Sequence, residues 1–348
     1  MHKDEQSRKL ERLRRHLKDG TTDLSPHSLK VPASHYTSEA QNAVEIELMF
    51  KKRPLLVALT PHIPNQGDYL THEAIDTSLL LVRDREDKAR AYINACRHRG
   101  ARLVEGKGHK ASFSCPFHAW NWGLDGKIIA RPNSHEGFAA ADDCFDRLVE
   151  LPCYEIAGLI FVLLEGEDIE SKVHALMGAS LLDIENYNIS ETKHIDSRTT
   201  ELACNYKFFL DGFAETYHIS SLHKETISPF YYPNSTLVDQ LGEVVHLVSP
   251  RKTIDKEFEK TQSEQGAVLP YCTTEYLLAP NVLLTHQVDH IQFWTAYPVD
   301  GANRCRIELN VFWPNPMDDE AERKAKLNVD LVWQVTTEED FPQSVAIH

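Results

Sequence analysis

The 348-residue sequence contains no apolar run approaching the roughly 18 residues that a membrane-spanning helix needs, so no transmembrane segment is expected. The stretch Met1–Gly20 is polar and lacks an apolar core, so no secretory leader is expected. Clustered positive charge is also missing. The formal net charge is −15, which argues against a nucleic acid partner, because phosphate binding needs concentrated Lys and Arg. The first twenty residues are a local exception, with seven Lys/Arg against four Asp/Glu. They read as an exposed helix that packs on a neighbour or frays. No GxGxxG stretch and no flavin motif is visible, so nicotinamide or flavin chemistry has to come from another protein. Cysteine is sparse and unpaired in pattern. Of seven, Cys144, Cys153, Cys204, Cys272 and Cys305 stand singly. That is the usage of a reducing compartment, and a cytoplasmic location is expected.

What is present is the composition of a globular protein, 42% hydrophobic and 26% charged, at a length that suggests two domains. Residues 1–50 read as helical. Ser38-Glu39-Ala40-Gln41 resembles a capping box, and Ala43, Ile46, Leu48, Met49 and Phe50 supply an apolar face. From Leu55 to about Leu164, short apolar runs alternate with Gly, Pro, Asn and Asp: Leu55–Leu59, Ser78–Val82, Ala91–Asn94, Ala111–Ser114, Lys127–Ala130 and Leu159–Leu164. This spacing predicts a small antiparallel β domain. Asp168 to about Asn188 reads as a helical connector. Thr199–Phe209 starts as a strand and turns into a helix. Val244–Val248, Val282–Thr285, Ile291–Tyr297 and Arg304–Phe312 read as strands, Arg251–Gln265 as a charged surface loop or helix, and Asp318–Val335 as a long amphipathic helix. Together these predict an α+β second domain with an antiparallel sheet wrapped around helices.

Two stretches carry chemistry. In the first, Cys96-Arg97-His98 is followed after sixteen residues by Cys115-Pro116-Phe117-His118. Two loops each offer one thiolate and one imidazole. Two thiolates suit one ferric ion and two neutral imidazoles a second, sulfide-bridged iron, which is the ligand set of a Rieske [2Fe–2S] centre. A Cys₂His₂ zinc site competes, but zinc motifs more often pair Cys with Cys and His with His. The flanks, Arg99-Gly100 and Ala119-Trp120, also suit the cluster, and Asn121–Gly126 reads as a turn. The second stretch runs from Asn205-Tyr206-Lys207 through Asp211 and Glu215-Thr216-Tyr217-His218 to His223. Two His five apart with carboxylates upstream suit a two-His, one-carboxylate non-haem Fe(II) site with an open face. That spacing is not helical, so His218 is expected to close a helix and His223 to lie on the following turn. Taken alone, H-x₄-H is weak among 18 His.

With both motifs present in this order, the chain resembles the Rieske non-haem iron oxygenase α subunits, the aromatic-ring-hydroxylating dioxygenase family. The resemblance implies an α+β fold: an antiparallel β Rieske [2Fe–2S] domain over 51–165 and a helix-grip (START-like) catalytic domain over 166–348, preceded by a helical segment over 1–50. It implies a Rieske cluster on Cys96, His98, Cys115 and His118, and a mononuclear Fe(II) on His218, His223 and a carboxylate from a distant C-terminal helix. Asp340, in the run Thr336-Thr337-Glu338-Glu339-Asp340, matches that position, with Glu338 and Glu339 as competitors. An acid that links a cluster His to an iron His is matched by Glu215, three residues before His218 and expected on the same helical face, with Asp211 as runner-up. Asn205 of the N-[WY]-K element joins them as a candidate catalytic residue.

The implied function is that of the terminal oxygenase component of a multicomponent system. It would use O₂ to hydroxylate, dihydroxylate or demethylate a small organic substrate, as in aromatic hydrocarbon catabolism or quaternary amine breakdown. Glu at the bridging position favours the oxygenases of quaternary ammonium compounds. Implied partners are a separate NAD(P)H-dependent reductase or ferredoxin and, within a homotrimer, a second copy. Phe208, Phe209, Phe213, Leu222, Phe293 and Trp294 are candidates for an apolar pocket. The competing readings are a Rieske-type electron carrier whose second domain only docks partners, and a helix-grip module without iron.

Overall fold

The computed structural model describes residues 1–133, 145–261 and 265–348. Cys144 and part of the charged Arg251–Gln265 stretch lie outside them. The chain divides into two units, residues 46–173 and residues 1–45 with 174–348.

The unit over 46–173 is built from short antiparallel strands. They are β1 (Leu55–Leu59), β2 (Asp68–Ala74), β3 (Thr77–Arg83), β4 (Ala89–Ile93), β5 (Lys107–His109), β6 (Ser112–Ser114), β7 (Asn121–Gly123), β8 (Ile128–Ala130), β9 (Glu150–Leu151), β10 (Cys153–Ile156) and β11 (Leu159–Val162). Three sheets result, ordered β1-β11-β10, β5-β2-β3-β4-β9 and β6-β7-β8. The apolar runs read from the sequence all fall on strands. The additional β2 (DYLTHEA) is too polar to announce itself; its pairing with β3 from Tyr69↔Val82 to Ala74↔Thr77 makes it a strand. The Asn121–Gly126 stretch is a turn only in its second half. Asn121–Gly123 is strand β7, fixed by the register Phe113↔Trp122, which buries both rings. Gly126 then turns with φ +76°, and a Cβ there would lie 2.6 Å from Cε1 of Tyr92, so the position demands glycine.

The other unit carries one seven-stranded antiparallel sheet, ordered β12-β18-β17-β16-β15-β14-β13. Its strands are β12 (Thr192–Leu202), β13 (Leu237–Leu241), β14 (Val244–Pro250), β15 (Cys272–Leu278), β16 (Val282–His286), β17 (Ile291–Pro298) and β18 (Cys305–Pro314). β13 to β18 form a meander, and β12 closes the order beside β18. The sequence does not announce β13 or β15, because both carry charged residues among their apolar ones.

Helix α1 (Lys3–Asp19) does not fray. Its Leu10 and Leu13 are buried with Leu237, Val248, Ile254 and Cys272. The predicted helix over 1–50 is interrupted: Gly20 ends α1 in the left-handed region, and Pro26 and Pro32 lie in the non-helical stretch that follows. Helices resume at Ser34–Thr37 and Glu39–Glu45. Half of the expected capping box forms. Gln41 N donates to Ser38 Oγ at 3.3 Å, but the Gln41 side chain reaches forward to Glu45 at 3.0 Å.

Helix α2 (Lys207–Phe213), the short α3 (Ile219–Leu222) and the long α4 (Asp319–Val335) follow in the same unit. Asp318 caps α4 by accepting from Ala321 N at 2.8 Å. A π-helical turn, Thr336–Asp340, leads from α4 into α5 (Phe341–Ile347). Phe209 and Phe213 of α2 and Trp333 of α4 meet Trp294 of β17 at centroid distances of 5.7, 5.8 and 6.4 Å. That aromatic layer seats the helices on one face of the sheet. By strand parity α1 lies on the opposite face. The fold is α+β, a β-rich first domain and a helix-covered antiparallel sheet.

Candidate metal centres

In the 46–173 unit, Cys96 lies in the loop after β4 and Cys115 in the loop between β6 and β7. Each loop is closed by its own backbone. Cys96 N donates to Ala101 O at 2.8 Å and Gly100 N to Cys96 O at 2.8 Å. Cys115 N donates to Trp120 O at 2.8 Å and Ala119 N to Cys115 O at 3.0 Å. Both cysteines are buried in a core with Trp120, Trp122, Tyr92 and Phe113. The imidazoles point to the rim. The rings of His98 and His118 are 4.6 Å apart, and His98 stacks on Trp120 at 4.8 Å. His118 is exposed.

Burial and the neighbouring Cys115 thiol push the Cys96 thiol up, against the pull of the His98 backbone N–H and the nearby Trp122 indole, whose N–H is buried without a hydrogen-bond partner. Burial, His118 and Arg99 push the His98 imidazolium down, so the ring is held in its neutral, ligating form. Two adjacent buried thiols need positive charge between them to ionise together, and a buried N–H left without a partner in the same core is a donor that a cluster sulfur could use. The donor set fits a Rieske cluster.

In the other unit, the second stretch folds differently from expectation. Helix α2 ends at Phe213, so Glu215 and His218 do not share a helical face. Instead His218 opens the four-residue α3 and His223 closes it. Glu215 sits in the preceding turn. Its Oε2 accepts from the backbone N–H of Tyr217 and, at 3.1 Å, of His218, while Oε1 lies 2.6 Å from His218 Nδ1. Burial opposes the Glu215 charge, but His218 and these backbone donors hold its carboxyl below the usual range.

The π-helical turn delivers Asp340 to the two His. Its Oδ1 lies 3.0 Å from His223 Nε2 and 3.7 Å from His218 Nε2. Among the described residues, His218, His223 and Asp340 form a group whose donor atoms all lie within 4.8 Å of one another. Glu339 turns to the other nitrogen of His223, with Oε2 2.6 Å from Nδ1, and also accepts from Thr226 Oγ1 at 2.9 Å. Burial works against the His223 imidazolium, yet Asp340 and Glu339 together hold it above its ordinary range. In other words, the site recruits a proton where a cation belongs. Two imidazoles whose Nε2 atoms face one carboxylate, each oriented at Nδ1 by a separate acid, fit a two-His, one-carboxylate metal.

Of the three acids read from the sequence, Glu338 turns away to Gln334 Nε2 at 3.1 Å. The positioning of His223 by Glu339 and Thr226 was not legible; an acidic pair shows two carboxylates but not which way each turns. Asp211 and Asn205 are not brought to the trio. Asp211 accepts from the Tyr36 hydroxyl at 2.6 Å. The buried Asn205 is satisfied by Ala302 O at 2.9 Å and Lys207 N at 3.1 Å, which fixes the start of α2.

A cavity of about 710 Å³ opens beside the trio, within the same unit. Phe208, Phe209 and Phe213 line it as expected. Leu222, Phe293 and Trp294 are not on its wall, and the last two are buried in the core. The sheet side is polar instead: Thr273, Glu275, Thr285, Gln287 and Gln292 face in.

No helix among the described residues is long and apolar enough to cross a membrane. Comparison with known proteins supplies the family. Residues 54–155 match the Rieske [2Fe-2S] domain, and residues 185–347 match the ring hydroxylating alpha subunit catalytic domain. The chain is 32% identical over 219 residues to the carnitine monooxygenase oxygenase subunit of Escherichia coli K12, covering 62% of this chain and 56% of that protein. It is 28% identical over 202 residues to the glycine betaine monooxygenase oxygenase subunit of Pseudomonas aeruginosa, covering 58% and 46%. The chain thus spans about half the length of these curated relatives.

The fold matches the solved structure of a quaternary ammonium Rieske monooxygenase, described for carnitine oxidation and inter-subunit electron transfer, with a TM-score of 0.76, 20% identity, and coverage of 91% of this chain and 84% of that one. The two domains imply a Rieske [2Fe–2S] cluster and a mononuclear iron. With both domains present in this order, the chain belongs to the ring-hydroxylating Rieske oxygenase α-subunit family.

Proposed function

We propose that the chain is the oxygenase component of a multicomponent Rieske system and that it oxidises a small amine or quaternary ammonium compound. Cys96, Cys115, His98 and His118 would hold the cluster, and His218, His223 and Asp340 the mononuclear iron. When bound, these groups supply electron storage and O₂ activation. The observation that carries the reading is the His218–His223–Asp340 trio, donor atoms within 4.8 Å, on the wall of a cavity of about 710 Å³, the size of a small-molecule site. A pure electron carrier has no use for such a cavity beside three metal donors. The printed activities of the carnitine and glycine betaine relatives support an amine over an aromatic hydrocarbon.

The protein's own groups have distinct tasks in this reading. Glu215 holds the Nδ1 proton of His218 and fixes which nitrogen faces the metal; Glu339 does the same for His223. Phe208, Phe209 and Phe213 keep water from the bound substrate. Glu215 and the exposed His118 are the two ends of an electron path between neighbouring copies in a homotrimer. The inter-subunit transfer named for the solved relative supports this arrangement. A separate NAD(P)H-dependent reductase or ferredoxin feeds the path, and the cytoplasm is the compartment in which its cysteines stay reduced.

Metal analysis of anaerobically prepared protein tests the reading. Acid-labile sulfide with a visible-absorbing cluster and one further iron per chain is expected, and His218→Ala keeps the cluster while losing the further iron. With reductase and NADH, amine-dependent O₂ uptake should yield hydroxylated or dealkylated product. Zinc on Cys96 and Cys115, or no substrate-dependent O₂ uptake with any amine or aromatic compound, overturns it.

A further inference from the structure

Strand β15 alternates in the ordinary way. Thr274 and Tyr276 point to one face, where both meet the Tyr187 hydroxyl, at 3.0 and 2.9 Å. Thr273 and Glu275 point to the other and line the cavity. Glu275 is thus a carboxylate planted in the centre of the sheet, between Leu247 of β14 and Thr285 of β16 in register. Among the described residues, no cation and no hydrogen-bond donor is paired with it. Its neighbour Thr285 also has a buried hydroxyl without a partner.

Two of the four cations on the cavity wall are engaged elsewhere; the other two are Lys252 and Lys256. Arg251 donates to Gln287 Oε1 at 2.6 Å and lies over the Tyr231 ring at 5.5 Å. Lys324 is bound to Asp289. Glu275 is only part-buried, because it opens onto the cavity, but a carboxylate drawn out of bulk water without a counter-charge is still costly, and proteins that keep one give it a partner or a proton. Burial indeed pushes the Glu275 carboxyl up to about 8. Aromatic rings share the cavity wall with it: Tyr231 and Tyr271, with Phe230 and Phe213. An acid together with aromatic faces is the chemistry that accepts an alkylated ammonium, which cannot donate hydrogen bonds when quaternary and takes its stabilisation from charge and ring faces.

We propose that Glu275 is the counter-ion for the cationic nitrogen of the substrate, and so the residue that makes this cavity select alkylammonium compounds over neutral molecules of the same shape. The inference rests on the reading of the cavity as the substrate site. It makes Glu275 a specificity-determining residue, separate from the metal-binding trio.

The groups facing Glu275 are Leu247 on β14, Thr285 on β16 and Gln287 just after it, Thr273 on its own strand, and Tyr231 with Arg251 from the adjoining loops. Of these, Tyr231 titrates but is held above its usual range by burial. A cation entering at pH 7 therefore displaces the proton of Glu275 and of no other facing group.

The test is calorimetric binding of choline and of its neutral carbon isostere, 3,3-dimethylbutan-1-ol, to the anaerobic holoprotein. Repeating the titration in buffers of different ionisation enthalpy counts released protons. Wild type is expected to bind choline at least about tenfold more tightly than the isostere and to release about one proton per choline at pH 7 and none per isostere. Glu275→Gln, with its cluster absorbance intact, is expected to lose the preference while binding the isostere within about twofold of wild type. Equal binding of the two probes by wild type, or a cation preference that survives Glu275→Gln, overturns the proposal. The proton count in wild type decides the matter if the variant does not fold. Oxidation of neutral aromatic compounds without ammonium binding would sink the role of Glu275 and leave the oxygenase reading standing. Glu275-dependent choline binding in protein that takes up no mononuclear iron would do the reverse.

Discussion

Two consecutive acids bracket one imidazole: Glu339 Oε2 lies 2.6 Å from Nδ1 of His223, and Asp340 Oδ1 lies 3.0 Å from Nε2 of the same ring. The π-helical turn Thr336–Asp340 makes this possible. It is the segment that carries the chain from α4 into α5, and its looser winding lets neighbouring carboxylates serve one histidine. The division of labour between them is therefore testable. Asp340→Asn is expected to abolish mononuclear iron binding, Glu339→Gln to weaken it by roughly 10–100-fold, and Glu338→Gln, whose side chain faces Gln334, to leave it unchanged. Fe(II) titration of protein stripped of its mononuclear metal reads all three. Equal losses for Glu338→Gln and Glu339→Gln would remove the basis for this assignment.

Much of this site was visible in the sequence, and what was not has physical causes. The four candidate cluster residues come from spacing and ligand type, which do not depend on tertiary structure, whereas His218 and His223 are weak by spacing alone and come from the resemblance carried by the two motifs in order. The strands rich in Val, Ile and Leu were legible for the same reason. β15 was not, because Thr273 and Glu275 face a cavity and break the apolar pattern that identifies a core strand. His218 and Glu215 were expected on one helix, but α2 stops at Phe213 and the contact is made by a turn that folds the carboxylate back over its own backbone donors. Asn205 illustrates the converse: a residue inside a recognisable motif can serve the backbone, here at the start of α2, and stay off the cavity wall.

The indole of Trp122 gives the cluster domain a prediction of its own. Its N–H is buried without a hydrogen-bond partner in the core that holds Cys96, so it is free to serve a cluster sulfur, and a donor to a ligating sulfur stabilises the more negative, reduced cluster. Trp122→Phe keeps a ring in the core but removes the donor. The midpoint potential is expected to fall, measured by redox titration of the visible spectrum, with mononuclear iron content unaffected. An unchanged or raised potential would show that the N–H does not act on the cluster.

Lys9 is 1% exposed, and its Nζ contacts Asp239 directly and Glu5 at 3.3 Å. Arg12 adds a contact to Asp239 at 2.7 Å. This network docks α1 on β13. Removing one member of a buried pair strands the other, which costs about 3–5 kcal/mol when both are fully buried. Asp239 is partly exposed, so Asp239→Ala is expected to cost less, about 2–3 kcal/mol in urea unfolding. Adding Lys9→Met should recover part of the loss, since no uncompensated charge then remains. A double variant no better than the single one would mean the pair is not the unit of stabilisation.

The iron-side acids also set a pH dependence whose sign is fixed by His223. Asp340 and Glu339 hold its folded pKa above the unfolded value of about 6.5 despite burial. A histidine raised in the folded state contributes stability that is fully present below the unfolded pKa and lost as pH rises through the folded one. Glu215, held low, works in the opposite range: its contribution is present above about pH 4.3 and lost only on acidification, so it is constant near neutrality. Glu275, pushed up to about 8, adds a slope of the same sign as His223, because the folded state holds a proton that the unfolded chain has released. In protein lacking the mononuclear metal the Glu275 share of the decline in thermal stability therefore runs from about pH 4.3 to about pH 8, and the His223 share joins it from about pH 6.5 upward. The same protein carrying His223→Gln should show a shallower decline, and Glu275→Gln should flatten the segment up to pH 8. Loading the metal replaces the His223 proton and should remove its share of the slope. Melting temperatures that fall in parallel for wild type and His223→Gln across this window would mean that the two acids do not govern the protonation of His223.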